Sequence, residues 1–315
     1  MQELEPSPVD ESLNLAESGE YFPHHGAAGE TSGHNNLSPG RRFKGRGWDF
    51  WLSTIQRYST YPPTVFLGLH IANTSLIPLV TRSVPASESY LLLTRPIYQA
   101  PSLEPFIVTI PIVAHVISGI ALRRLRSKRR ARLYGAESTR QRHMIPSWPK
   151  PSLQARLGYA MIPLIGLHVL VNRAVPLAVD GGNSAVGLGY VAHGFARSPS
   201  FWTIFYVLFV AVSVWHFVGG WAAWLGFRVT TARKVHGDRS KSIGGILGRP
   251  ESTSLEESRR KRRAWWTVYG LAGLTTAVWL MGGLGVVARG GPGSGWEAST
   301  WDQLYKSVPV IGGWL

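Results

Sequence analysis

The chain has no cysteine among its 315 residues. That absence excludes disulfides, thiolate metal sites and iron–sulfur ligation, and it is compatible with any redox compartment. Acidic residues are scarce: 18 Asp and Glu stand against 33 Lys and Arg, a net charge of +15. No acid falls inside the long apolar runs, which weakens both a metal site and a proton pathway there. So strong a basic excess would suit a nucleic-acid partner, yet no nucleic-acid fold motif accompanies it. The first residues, Met1 to Asp10, lack the apolar run of a secretory signal and the Arg-rich, acid-poor face of a mitochondrial presequence, so no cleavage is expected.

What the chain does have is apolar residues gathered into long runs, with the charges between them. This is the distribution of a membrane protein. Five runs, at about 62–80, 106–122, 157–179, 201–227 and 264–288, have the roughly 17 to 25 residues that cross about 30 Å of hydrocarbon with some tilt. The expected fold is an all-α membrane protein with five transmembrane helices. The first run is the weakest, because Asn73, Thr74 and Ser75 follow a histidine and Pro78 interrupts its end. Polar groups at that depth need partners inside a bundle, so the Asn73-Thr74-Ser75 sequon is read as a false glycosylation match. On five crossings, 27 of the 33 basic residues fall on one side, in the N-terminal arm and in the connections 123–156 and 226–263. That asymmetry predicts a cytosolic N-terminus. The Trp-containing C-terminal tail is then expected along the interface of the opposite face.

Four segments follow: a disordered arm over 1–45, a four-helix core over 46–230, a basic connection over 231–263, and a fifth helix with a tail over 264–315. The arm is Pro-, Ser-, Gly- and Glu-containing with little to form a core. Within it Leu4, Pro6, Pro8 and Val9 make a Pro-x-Pro segment edged by apolar residues, a form that lies extended along a partner's groove or sheet edge. A chain with 21 prolines also yields such a spacing by chance. From Arg41 to Arg46, and then at Trp48, Phe50 and Trp51, bases and rings bring the chain to the membrane surface.

Each of the first four runs carries one histidine, in two contexts that recur. Gly68-Leu69-His70 returns as Gly166-Leu167-His168, with Pro78-Leu79 and Pro176-Leu177 at matching distances, and His115 to Gly119 returns as His216 to Gly220. The first four spans are therefore predicted to be a duplicated helical hairpin, with the fifth span outside the repeat. At 1.5 Å per residue the four histidines lie about 12 to 18 Å in from the basic side, so all are near mid-membrane. The other six (His24, His25, His34, His143, His193 and His236) are assigned to loops or the arm. Four readings stay open: axial ligation of one or two b-type haems, metal binding, a proton relay, and hydrogen bonds between helices. For haem, the diagonal pairs would be His70 with His168 and His115 with His216. Glycine beside a ligand would admit the macrocycle, and Arg123, on nearly the same helical face as His115, would meet a propionate.

These segments carry a resemblance. Gly68-Leu69-His70-Ile71, His115 through Arg124, Gly166-Leu167-His168-Val169 and His216 through Gly220 resemble the cytochrome b membrane anchors of succinate dehydrogenases and fumarate reductases. They are closer to the fungal mitochondrial adapter family called MCP, whose membrane domain is of the same superfamily. The resemblance covers about half the chain. It implies a cytochrome b-like four-helix core in the mitochondrial outer membrane and an adapter, not an enzyme. Such an adapter recruits a bridge-like lipid-transfer protein of the vacuolar-sorting class to contact sites, and Met1, Leu4, Pro6, Pro8 and Val9 fit the family's Pro-x-Pro peptide by position. The alternative it implies is a haem-binding anchor passing electrons to quinone.

Overall fold

The computed structural model describes residues 47–133, 135, 138–144, 151–227 and 251–314. The arm, with Leu4, Pro6, Pro8 and Val9, lies outside them, as does most of the basic connection. Among the described residues every regular element is helical. Five helices are long and apolar enough to cross a membrane: Trp48–Thr81, Pro105–Arg129, Leu153–Asp180, Pro199–Trp224 and Arg262–Arg289. Only 17 to 28% of each apolar window is buried, so most of their apolar surface needs hydrocarbon as its solvent. The chain is a multi-pass membrane protein.

Four of the five spans extend beyond the predicted runs, and the fourth is shifted, starting two residues earlier and ending three earlier. The first gains the most, because the segment expected to lie at the surface is itself a helix, Trp48–Tyr58. Two spans contain a five-residue π-helix soon after the histidine, Ala72–Leu76 in the first and Leu170–Ala174 in the third. Each is followed by a buried proline, Pro78 and Pro176. Proline has no N–H to donate back four residues and its ring crowds that carbonyl, so the helix widens ahead of it. Both spans then stop on a left-handed residue, Arg82 with φ 52° and Gly181 with φ 69°.

The described residues form two compact units. In one, drawn from 1–63 and 105–150, Trp48–Tyr58 packs on Ile110–Leu133, with Arg126 Nε 3.7 Å from Asp49. The other, drawn from 64–104 and 151–315, holds the last three spans and three shorter helices that the apolar runs do not announce: Val84–Gln99, Leu188–Arg197 and Gly295–Lys306. Ser83 caps the first of these through the Ala86 amide, and Pro85 stands at its first turn, where the missing N–H costs nothing.

The core of this second unit is aromatic. Tyr190, Phe195, Trp202, Phe205, Leu304 and Tyr305 cluster with Val171 and Val175. Tyr190 and Tyr305 stack at 4.6 Å, and their hydroxyls donate to the Val171 and Tyr190 carbonyls respectively, both at 3.1 Å. Burial pushes both phenols above their ordinary pKa. Trp301 is only 9% exposed and donates to the Ala185 carbonyl, whereas Trp296 and Trp314 are exposed. The tail is thus folded inward at Trp301, while Trp296 and Trp314 stay on the surface.

The fifth span is not peripheral. It packs on Pro199–Trp224 and on the π-helix and Ile77–Thr81 stretch of the first span. Ser75 Oγ donates to the Val278 carbonyl at 2.8 Å. Glycine makes the approach possible, since a Cβ at Gly282 would stand 2.3 Å from the Ser75 oxygen. Asn73 is 1% exposed, with its amide nitrogen donating to the Leu69 carbonyl and to Thr94. Buried in a helix, it is no glycosylation acceptor.

Candidate functional site

The inner histidines meet. The rings of His70 and His168 stand edge to face with centroids 5.9 Å apart. Around them Phe66 stacks on His70 at 5.2 Å, Trp279 of the fifth span lies 6.3 Å from it, and Tyr206 and Phe209 lie 6.0 and 5.1 Å from His168. Asn172 donates to the His168 carbonyl at 2.9 Å, and Thr74 donates to the His70 carbonyl at 2.7 Å. His70 and His168 are thus neighbours, and the fifth span supplies one wall of their surroundings through Trp279.

The outer histidines make a different contact, and the same one twice. His115 Nδ1 is 3.1 Å from the Gln56 carbonyl, and His216 Nδ1 is 3.2 Å from the Gln154 carbonyl. With the proton on Nδ1 each ring donates to a backbone oxygen, which fixes its tautomer. The glutamine side chains then fill the glycine faces beside the rings. A Cβ at Gly119 would lie 2.9 Å from Gln56 Nε2, and one at Gly219 would lie 2.6 Å from Gln154 Oε1. A helix–helix hydrogen bond is what these histidines make.

These contacts decide how the residues fit a haem. The glycines beside His115 and His216 were expected to admit a flat macrocycle; they admit glutamine instead, so the outer pair does not fit the group. Arg123 is half-buried on Ile110–Leu133 and loses the propionate role with that pair. The inner pair has the right donor type, imidazole, but its rings touch edge to face with Phe66, Trp279, Tyr206 and Phe209 packed on them. Among the described residues no group of three or more metal-ligating side chains occurs.

Sequence reasoning missed Gln56 and Gln154, though a signal for them exists: each stands at the same distance before its inner histidine, just as the glycines precede and the prolines follow it at matching distances. It also misplaced His193, which lies not in a loop but in Leu188–Arg197, 4% exposed. Its Nε2 is 3.0 Å from Asp302, and its Nδ1 accepts from the Gly293 amide at 3.0 Å. Arg197 also reaches Asp302. The hydrogen bond from His193, with Arg197 beside it, holds the Asp302 carboxyl below the usual carboxylate range. A third unforeseen contact is Arg173 Nε donating to Glu104 at 2.8 Å. It gives the arginine at the exit of the third span an acid from just before the second.

Five apolar helices, a histidine-centred aromatic interior and buried inter-helix hydrogen bonds define a polytopic helical membrane protein. Within it, residues 163–292 match the sequence model of one family, described as MDM10-complementing protein 1, transmembrane domain. The matched stretch contains His168, His216, most of the third span and the whole of the fourth and fifth. It supports the MCP resemblance over that stretch. No curated protein and no solved structure matches the chain.

Proposed function

We propose that the protein is a mitochondrial outer-membrane adapter whose N-terminal arm recruits a bridge-like lipid-transfer protein of the vacuolar-sorting class, in support of lipid homeostasis at membrane contact sites. The observation that carries the reading is the match of 163–292 to the MDM10-complementing membrane domain. With it goes a Pro-x-Pro segment, Leu4 to Val9, ahead of the first span. On a five-crossing count the arm shares its side with the basic connections, which is the cytosolic side by the positive-inside rule. The first four spans are read as a duplicated hairpin of cytochrome b-like type. The recurrence of glutamine, histidine, π-helix and buried proline in both halves supports that reading.

An extended peptide on a groove or sheet edge takes affinity from main-chain bonds and specificity from a few side-chain pockets. Losing one or two anchors is then decisive, because the ordering entropy of the peptide leaves little affinity in reserve. Replacing both Pro6 and Pro8 by alanine is expected to abolish recruitment of the lipid-transfer partner to mitochondria at unchanged adapter abundance. His168→Ala protein that inserts normally should still recruit. Recruitment by the double proline variant at the wild-type level would remove the arm from the receptor role.

The second reading is a b-type haem held between His70 and His168, which the edge-to-face contact of those rings inside an aromatic shell does not favour. It requires an α-band in dithionite-reduced protein that His168→Ala removes, and purified wild type without that band sinks it. Electron transfer to quinone gains no support from the outer pair.

A further inference from the structure

Six basic residues lie on the sparsely charged side of the five crossings: Arg82, Arg95, Arg173, Arg197, Arg289 and Lys306. Three are tied to acceptors within the chain, Arg95 to Gln99 and the Asn183 carbonyl, Arg173 to Glu104, and Arg197 to Asp302. Arg82 and Arg289 differ. They converge on one groove of about 440 Å³, whose walls include Leu79, Met281 and Val286 and no acidic residue. Neither guanidinium has a hydrogen bond or ion pair among the described residues. The two residues follow and close the first and fifth spans, so the groove opens where hydrocarbon meets headgroups.

The backbone supplies a second, independent observation. Arg82 is left-handed, with its N–H on the Pro78 carbonyl, a conformation that strains a residue with a Cβ. The turn that ends the third span meets the same need with Gly181. At Arg82 a long cationic side chain stands where glycine would relieve the backbone.

We propose that Arg82 and Arg289 bind the phosphate of one anionic glycerophospholipid, whose acyl chains lie along Leu79, Met281 and Val286. Guanidinium groups match phosphate with paired, charge-assisted hydrogen bonds, and cations at the rim of an apolar groove beside membrane spans read anionic headgroups. The site goes beyond the adapter reading and stands whether or not the arm recruits a partner.

Native mass spectrometry of the full chain in detergent tests this, with dioleoyl phosphatidic acid, dioleoyl phosphatidylcholine and inorganic phosphate as probes. One phosphatidic acid should bind at least about tenfold more tightly than phosphatidylcholine, and Arg289→Gln should lose that preference. Arg82→Gly should lose it too while melting no lower than wild type, because glycine takes the left-handed turn without strain. Lys306→Gln should leave it unchanged. Equal binding of the two lipids, or binding undiminished in both arginine variants, overturns the site. Equal weakening by Lys306→Gln would mean a diffuse charge effect and overturn the two-arginine site, and displacement by millimolar inorganic phosphate would mean a site for the free anion and remove the lipid.

Discussion

At the scale of single residues, the structure treats its histidines by local demand. His115 and His216 each find a glutamine carbonyl, His70 and His168 find each other, and His193 finds Asp302. The last contact makes a pH dependence. A carboxyl whose folded pKa is depressed adds stability that is fully present above its unfolded value, near about 4. That stability is lost as pH falls through the lower folded value. Asp302 is about one-third exposed, at 36%, so solvent screens the effect. Asp302→Asn should melt below wild type at pH 7, and the gap should narrow at a pH below about 4. Melting curves in detergent at both pH values check this, and a gap that stays constant would refute the assignment. His193 was hidden from the sequence because its helix, Leu188–Arg197, carries no long apolar run. Only the partner, more than a hundred residues later, reveals its burial.

At the scale of elements, close approach between the first and fifth spans rests on one glycine. Gly282→Ala would drive a methyl group into the backbone of Ser75, which cannot yield as a side-chain tip does. The expected cost is about 1 to 3 kcal/mol, with loss of the Ser75 to Val278 bond. The neighbouring Gly283 faces open space, so Gly283→Ala should be neutral or slightly stabilising. Comparable melting of the two variants would show that the spans do not meet there. The five spans were legible because an apolar run of sufficient length has few other uses in a chain. The three shorter helices were not, since their mixed composition, with Pro96 inside one of them, gives no such run. The π-helices were legible only in part: Pro78 and Pro176 mark where the helix must widen. That it widens over five residues is settled by neighbours such as Val278 and Thr94, which take up the polar groups of Ser75 and Asn73.

At the scale of the whole molecule, the lack of cysteine makes the crossing count open to a clean test, because any introduced thiol is the only one. Ser240→Cys, in the basic connection, should react with a membrane-impermeant maleimide in intact organelles. Glu297→Cys, exposed on Gly295–Lys306, should react only after permeabilisation. Labelling of both without permeabilisation would require an even number of crossings between them and end the five-span topology. The C-terminal helix also sets an order of events. Tyr190 and Trp202 leave the ribosome about a hundred residues before Trp301, Leu304 and Tyr305, the side chains that close over them. Through that interval the part of the cluster that Trp301, Leu304 and Tyr305 supply has yet to be made. Maturation of this unit therefore waits for translation to reach its final stretch, and a nonsense mutation beyond the fifth span would yield a fully inserted but unsealed protein, the kind of substrate that membrane quality control extracts.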